Sequence, residues 1–363
     1  MSDDPTPLDR ALVARDQAQA ERAATFTFLD WADPTLVAAA RGAGPDVGAA
    51  LALARGLGRV SGELGRSTWT VLQALASLGA GDLTVARVVE PHLDALAILA
   101  QSATSDGAVA PSPPPPGSTF GVYAAHAPGA QLRATESGSG WVLDGTKPWC
   151  SLADRVSHAV ITAHVDDVQR RAFVVDLAHS GVHLSDAPWV SRGLAAVRST
   201  GLRLEAVPAT PVGPADWYLT RPGFAWGGVC VAAVWFGAAA ALAQTVLDAA
   251  RRREPDQVAG LHLGRLDAAL RAAELELRAA AGAIDAGTAV GAAGELVAAR
   301  SRNAAAAAAE LALGESARAL GPGPLTSHEE HARRVADLTV YVRQHHGDRD
   351  LARTGSLLIG ARG

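Results

Sequence analysis

The hydrophobic period of the chain changes twice, and this constrains the fold more than any other feature of the sequence. Up to about residue 104, apolar residues recur at helical spacing. From Thr119 the period becomes two, and from Arg221 to the C-terminus it is helical again. This pattern predicts an α+β protein with an N-terminal helical domain (residues 1–117), a central β-barrel or β-sandwich domain (118–220) and a C-terminal four-helix bundle (221–363).

The helices of the N-terminal region can be placed from their apolar faces and from the breakers that follow them. Pro91 lies inside the last helix and predicts a kink or a break there. The apolar spacing predicts helices around Leu8, Leu12 and Val13, and over Pro34 to Arg41, Gly48 to Leu57, Ser67 to Leu78 and Leu83 to Ala103.

Five prolines occur between Ser105 and Gly117. This composition favours extended polyproline geometry and cannot join a helix. We interpret the segment as a stiff spacer between the first two domains, and the alternative is a ligand for a proline-recognition module.

Four long apolar or alanine-rich stretches predict the C-terminal bundle: Gly223 to Arg253, Leu263 to Ala283, Gly291 to Leu320 and Ser327 to His346. The first of them has no charged residue from Gly223 to Leu247, which is long enough to span a membrane. Its alanine and glycine content makes it only weakly hydrophobic. We therefore expect a buried bundle helix and no membrane association.

Net charge and cysteine content argue against several other classes of protein. A formal net charge of −5 with acidic and basic residues well mixed argues against nucleic-acid binding. Two cysteines, Cys150 and Cys230, are too few for a disulfide scaffold. With no signal peptide at the start of the sequence, we expect a cytoplasmic protein.

The stretch Gly140 to Ser151 carries the strongest local signals of the β region. Trp141 and Leu143 alternate as in a strand, and Asp144-Gly145 is typical of a hairpin turn. The stretch is therefore predicted to be a β-hairpin.

In such a hairpin, Trp149 and Ser151 point to one face of the returning strand. An aromatic ring and a hydroxyl then lie side by side, although a hairpin rich in tryptophan also suits a plain hydrophobic core. Lys147 is the only lysine of the chain, which indicates a position where arginine does not substitute for it.

This stretch closely resembles the acyl-CoA dehydrogenase family signature, Gly-x-Trp-x-Leu-Asn-Gly-x-Lys-x-Trp/Phe-Ile-Thr/Ser. The order of helices, β domain and four helices is also that of the family. The resemblance implies FAD as cofactor, with Trp149 packed against the flavin ring, Ser151 near flavin N5, and Cys150 between them in the binding segment. The matching positions are Gly140, Trp141, Leu143, Gly145, Lys147, Trp149 and Ser151.

A second segment resembles the flavin-contacting loop of the same family, at Tyr123, Pro128 and Ala130. The resemblance adds Tyr123, Ala125 and His126 to the implied FAD-binding residues. The Gly-Ser-Asp that follows in the family has no counterpart here, and its serine normally helps to hold the CoA thioester.

The family removes the substrate α-proton with a glutamate, and the two positions known for it hold no carboxylate here. The position after the last bundle helix holds His346, and the matching turn of the first bundle helix is Phe224 to Gly228. An imidazole titrates near neutral pH, so His346 is the candidate base, with Asp348 or Asp350 to orient or replace it. The alternative is a solvated helix end.

Two segments that contact the adenosine half of FAD in the family are altered, as Arg251 to Pro255 and Gly321 to Pro324. His328 and His331 are at helical spacing, but without further ligands we expect no metal site. The family resemblance implies an acyl thioester substrate and a homodimer or homotetramer, and the alternative is an assembly with a heteromeric partner subunit. The uncharged bundle helix, with more apolar surface than one small domain buries, also favours association.

The resemblance therefore favours an FAD-dependent enzyme that oxidises an acyl thioester between its α and β carbons. Loss of the glutamate leaves two alternatives open: a flavin-dependent oxygenase or oxidase on the same scaffold, and a degenerate subunit of a heteromeric flavoenzyme.

Overall fold

The computed structural model describes residues 26–104, 115–138, 140–252, 254 and 256–360. Within them the chain forms helices, then a β-barrel, then a second set of helices, so the predicted α+β architecture is confirmed. The helix predicted around Leu8 and most of the proline-rich segment lie outside the described residues.

Between residues 26 and 104, the first region forms four α-helices and a 3₁₀ turn, Gly58–Glu63. Asp33 and Asp46 cap the first two helices by accepting backbone N–H groups of the first turn. The last helix continues through Pro91, with buried residues on both sides of it, so of the predicted kink or break the break is wrong and the kink stays a prediction. The helices are α1 (Pro34–Ala43), α2 (Val47–Leu57), α3 (Thr68–Gly81) and α4 (Leu83–Ala103).

The central region is a seven-stranded sheet that closes on itself. The strands are β1 (Phe120–Tyr123), β2 (Leu132–Ser137), β3 (Gly140–Ser151), β4 (His158–His164), β5 (Arg170–Asp176), β6 (Val182–Leu184) and β7 (Ser199–Val212). Antiparallel pairings run β4–β5–β7–β3–β2, and a parallel bridge from Arg133 to His164 joins β2 back to β4. Of the two predicted architectures, the structure is thus the barrel.

The predicted hairpin at Asp144-Gly145 is wrong, because β3 runs without a turn from Gly140 to Ser151. It pairs with β2 on one edge and with β7 on the other, and Asp144-Gly145 forms a bulge against β7. Gly145 has a φ of 119°, and the Asp144 carboxylate accepts the N–H of Ala206 across the bulge. Asp-Gly supplies the conformation that bends the strand around the barrel.

The C-terminal region contains the four predicted long helices and additional shorter ones. Its elements are α5 (Trp217–Thr220), α6 (Pro222–Arg251), α7 (Gln257–Asp285), α8 (Gly291–Leu320), α9 (Gly323–Ser327), α10 (Glu329–Tyr341), a 3₁₀ turn (Val342–Gln344) and α11 (Asp348–Gly360). The last predicted helix therefore ends earlier than expected, and a separate helix follows it.

Helix α6 is the centre of the structure. It is long and apolar enough to cross a membrane, but 83% of its most apolar window is buried inside the structure, as in the core helix of a soluble protein. It packs against α3, α7 and α8, so the N-terminal helices and the bundle share one hydrophobic core. Its apolar surface does not require a second chain, and the expected oligomer stays a prediction for sedimentation analysis.

Glycines allow α3 and α6 to cross at backbone contact. A Cβ atom at Gly237 of α6 would overlap the Ala76 carbonyl, and one at Gly79 of α3 would overlap the Val234 carbonyl. Each helix thus presents a glycine to the backbone of the other. This crossing fixes the distance between the N-terminal helices and the bundle.

We predict that Gly237→Ala destabilises the protein by ~2 kcal/mol or more, because the methyl group must separate two packed backbones. Gly264→Ala in α7 is the matched control: a Cβ there meets no atom within 4 Å. It should stabilise the helix by ~0.5–1 kcal/mol. Urea unfolding of both variants measures this, and equal free energies of unfolding would contradict the crossing.

Candidate active site

The end of strand β3 is where the barrel meets the helices. The Ser151 hydroxyl lies 2.8 Å from the Ser199 hydroxyl and accepts a hydrogen bond from Arg87 Nη2 at 3.2 Å. The buried Tyr123 hydroxyl donates to the Ser151 carbonyl at 2.9 Å. Tyr123 therefore positions the strand end, and Arg87 connects it to helix α4.

Trp149 has a left-handed backbone conformation, with a φ of 58°. A second register shift of β3 against β7, between Lys147 and Cys150, produces it. The indole is 60% exposed, so hydrophobic burial does not account for a tryptophan at this position, and neither does a relaxed backbone conformation. Such strain in a bulky residue costs of order 1–3 kcal/mol and is concentrated at ligand-binding sites.

Cys150 and Lys147 point into the barrel instead. Cys150 is 1% exposed, and burial raises the pKa of its thiol to about 12, so the thiol is an uncharged core group. Lys147 Nζ donates to the carbonyl and the hydroxyl of Thr162 at 2.7 and 2.8 Å. Burial lowers its pKa to about 8. The only lysine of the chain thus links β3 to β4 through two hydrogen bonds.

The loop after β1 lies at the barrel surface. Ala125 and His126 are exposed, and His126 Nε2 is hydrogen-bonded to the Arg170 guanidinium. Partial burial and the nearby Lys147 and Arg170 cations lower the pKa of His126 to about 4. At neutral pH the imidazole is therefore uncharged and accepts this bond.

A group of five polar and aromatic side chains, hereafter the buried cluster, lies behind Ser151. The cluster consists of Arg87 and Glu90 (α4), Trp235 (α6), Arg302 (α8) and Tyr341 (α10). Arg87 Nη1 is 3.6 Å from Glu90 Oε2, and its guanidinium lies over the Tyr341 ring. The Arg302 guanidinium lies over the Trp235 ring and donates to the Gln344 carbonyl.

Glu90 is a buried carboxyl, and the nearby arginines only partly offset the cost of burying its negative charge. Burial raises its pKa to about 7, the nearby Asp94 raises it further, and Arg87 and Arg302 oppose the shift. At neutral pH this carboxyl is therefore divided between its two protonation states. Asp94, one turn further along α4, faces Gly227 of α6 and pairs with Arg221 at 3.7 Å.

The carboxylates of α4 were not predicted from the sequence, although a signal was present. Arg87, Glu90 and Asp94 are spaced three and four residues apart, so they share one face of a helix that is mostly buried and apolar. Charges on the apolar face of a core helix indicate a polar site. Asp94 lies beside the α6 turn that includes Gly227, where the sequence comparison found no carboxylate.

The structure places the candidate base His346 and the neighbouring Asp348 at the protein surface. His346 is exposed, and its Nδ1 lies 3.2 Å from Asp350 Oδ1. Asp348 is an exposed residue in the first turn of α11, where a negative charge interacts favourably with the helix dipole. Neither residue contacts the buried cluster. As the catalytic base, His346 stays a prediction.

His345, rather than His346, packs against the buried cluster, with its ring edge-on to Trp235. Its Nδ1 accepts the N–H of Gly347, so its Nε2 carries the proton and donates to Asn303 Oδ1 at 2.8 Å. Burial lowers its pKa. Both nitrogens of this neutral imidazole are thus engaged.

Among the residues that the structure describes, no group of three or more His, Cys, Asp or Glu side chains is arranged to hold a metal ion.

No protein-family model matches the chain, and no curated protein matches it in sequence. Solved structures do match. KijD3, in complex with FMN and dTDP-3-amino-2,3,6-trideoxy-4-keto-3-methyl-D-glucose, is 21% identical with a TM-score of 0.69, covering 98% of this chain and 94% of KijD3. FMN-bound TdsC from Paenibacillus sp. A11-2 is 16% identical with a TM-score of 0.74, covering 90% and 96%.

Glutaryl-CoA dehydrogenase from Mycobacterium smegmatis is 21% identical with a TM-score of 0.72, covering 86% of this chain and 87% of that protein. At these identities the comparisons establish the fold. The chain has the acyl-CoA dehydrogenase fold.

We predict that the pH dependence of stability reports the protonation of Glu90. Its pKa is higher in the folded state than its ordinary value, so its neutral form favours folding; that contribution is complete below about pH 4.5 and is lost as the pH rises through about 7. Glu90→Gln should therefore gain stability relative to the native protein between pH 5 and pH 8, on the order of 2 kcal/mol.

The exposed Glu136→Gln is the matched control and should show no such gain. Thermal melts of the three proteins across this pH range make the comparison. A constant difference between native protein and Glu90→Gln would show that Glu90 does not titrate there.

Proposed function

We propose that this protein is a flavin-dependent oxidoreductase whose flavin ring lies against Trp149, with its reactive N5 edge towards Ser151. The observation that carries the proposal is Trp149 itself: an exposed indole in a strained conformation, two residues before Ser151, whose hydroxyl is hydrogen-bonded to Ser199 and Arg87. Strain at an exposed aromatic residue is explained if the ring supports a ligand.

The surrounding groups suit a flavin. The Ser151 and Ser199 hydroxyls can donate or accept at the ring edge, and the exposed backbone from Ala125 to Ala130 can bond its pyrimidine half. When bound, a flavin supplies two-electron transfer and, in its reduced form, reaction with dioxygen.

The remaining question is whether the flavin is FAD or FMN, and the family resemblance implies FAD. KijD3 and TdsC were solved with FMN. In this chain, Pro322 and Pro324 occupy the turn that would approach the adenosine half, and proline has no amide hydrogen to donate. This favours FMN, which mass spectrometry of the released cofactor distinguishes from FAD.

For the reaction, we favour monooxygenation of a small organic substrate: one oxygen atom of O₂ would enter the substrate and the other would leave as water, with two electrons from reduced flavin, supplied by a separate reductase, and two protons from solvent. Neither sequence position of the dehydrogenase base holds a carboxylate, Asp94 beside the α6 turn is paired with Arg221, and both nitrogens of His345 are engaged. Oxygenation does not need a base to remove an α-proton. TdsC, similar in fold, was solved as a dibenzothiophene monooxygenase.

The residues of this chain then have separate tasks. Tyr123 holds the end of β3, and Ser151 and Ser199 hydrogen-bond at the flavin edge. Arg87 orients the substrate from α4, and the aromatic rings of Trp235 and Tyr341 exclude water behind it.

Oxidation of an acyl thioester is the second candidate, favoured by the signature at Gly140 to Ser151. It would use His346 as base after a movement of the turn before α11, because the imidazole is exposed in this structure. The degenerate-subunit alternative predicts a protein that binds no flavin by itself. A cytoplasmic location remains the expectation in all three cases.

We predict that the purified protein binds flavin and that Trp149→Ala weakens the binding by about tenfold or more, through lost stacking and burial. Fluorescence quenching of added FMN and FAD measures the affinity. Trp69→Ala is the control, since this indole packs under Arg278 on the bundle side. A native protein that stays colourless with either flavin would refute the proposal.

We further predict that acyl-CoA thioesters do not reduce the bound flavin under anaerobic conditions. If they do, the second candidate is correct. His346→Ala should then slow the reduction by about a hundredfold, the scale of a lost general base, and His345→Ala should change it little. Stopped-flow spectra of the native protein and both variants decide between the candidates.

A further inference from the structure

Arg87 makes far fewer hydrogen bonds than its guanidinium can donate. Arginine carries five N–H donors. Among the residues that the structure describes, Arg87 donates one hydrogen bond, the 3.2 Å bond to Ser151, and approaches Glu90 only to 3.6 Å. Its side chain is 15% exposed and none of its nitrogens is both buried and unpaired, so the remaining donors stay accessible to solvent and to a ligand.

Two neighbouring donors also lack acceptors. The Tyr341 hydroxyl and Trp235 Nε1 are buried without a hydrogen-bond partner in the described part of the chain. Their residues are 1% and 0% exposed, and their rings contact each other edge-on. Buried donors without acceptors are destabilising and uncommon, so an acceptor is expected at this position.

The charged side chains of the buried cluster also favour an anionic ligand. Arg87 and Arg302 are two cations that face Glu90, which is partly protonated near neutral pH; Asp350 also faces Arg302, and Asp94 faces Glu90. The carboxyl nearest to Arg87 is thus Glu90, at 3.6 Å, and it only partly balances the charge of that guanidinium. A ligand group that brings both lone pairs and negative charge satisfies the donors and the charge together.

We propose that the buried cluster is an oxyanion subsite beside Ser151, in which Arg87 and Tyr341 bind a carboxylate of the substrate. This deepens the proposed function by naming a substrate class, an organic acid, and rests on it for the reaction that follows. The guanidinium fork suits a planar carboxylate, and its position next to Ser151 brings the bound acid to the reactive edge.

Glu90 is the internal competitor for this anion. When ionised, it neutralises Arg87 and repels a carboxylate; when protonated, it leaves Arg87 free. Carboxylate binding should therefore weaken as the pH rises through about 7, and binding above that pH should take up a proton. The titratable and charged groups that face Glu90 are Arg87, Asp94, Tyr218, Cys230, Arg302 and Tyr341.

Calorimetric titration of the full-length protein as purified, with benzoate as probe and benzamide as its neutral counterpart, tests the subsite. We expect benzoate to bind and benzamide to bind at least ~10-fold more weakly. Arg87→Gln should lower benzoate affinity ~10- to 100-fold, and Tyr341→Phe should lower it ~5-fold. Arg271→Gln, an exposed arginine of α7, is the control and should change nothing.

Glu90→Gln tests the competition. It should tighten benzoate binding above pH 7, abolish the pH dependence and remove the proton uptake seen in buffers of different ionisation enthalpy. Arg87→Lys, which keeps the charge, should retain part of the affinity. Circular dichroism melts confirm that each variant is folded.

Equal binding of benzoate and benzamide, no binding of benzoate, or unchanged benzoate affinity in Arg87→Gln would each overturn the subsite. A pH dependence that persists in Glu90→Gln would overturn the role of Glu90. Calorimetry does not depend on flavin colour, so a protein that binds benzoate but no flavin would refute the proposed function alone.

Discussion

The backbone contact between helices α3 and α6 is the constraint on which the rest of the structure depends. Gly79 and Gly237 let the two helices approach until carbonyl groups occupy the space where methyl groups would lie. The N-terminal helices therefore share one core with the bundle. Because α4 follows α3 after a single residue, this crossing also sets where Arg87 and Glu90 meet α6, α8 and α10.

The barrel contributes the second half of the site through a strained strand. β3 is held on both edges, and Lys147 fastens it to Thr162 inside the barrel. With Cys150 buried next to it, the register shift leaves Trp149 outside in a left-handed conformation. Pairing on two edges offsets the strain, which a free hairpin of the same sequence would release.

Where these two halves meet, the site has more hydrogen-bond donors than acceptors. Arg87, Tyr341 and Trp235 present N–H and O–H groups from three helices, and Glu90 is the carboxyl that partly balances them. Burial keeps that carboxyl near its midpoint at neutral pH. An arrangement of this kind favours binding of an anion and couples it to a proton.

The sequence by itself determined the three-part α+β order, because changes of hydrophobic period are local and survive in any tertiary context. It also determined the local marks of a flavin site, Trp149 and Ser151, which lie in one short segment. Only the tertiary structure decided that Asp144-Gly145 is a bulge, since both edges of β3 find partners distant in sequence. It alone brought Arg87, Trp235, Arg302 and Tyr341 together from four helices and turned His345 rather than His346 towards them. Helix packing sets such contacts between residues up to about 250 positions apart, and no local pattern records them.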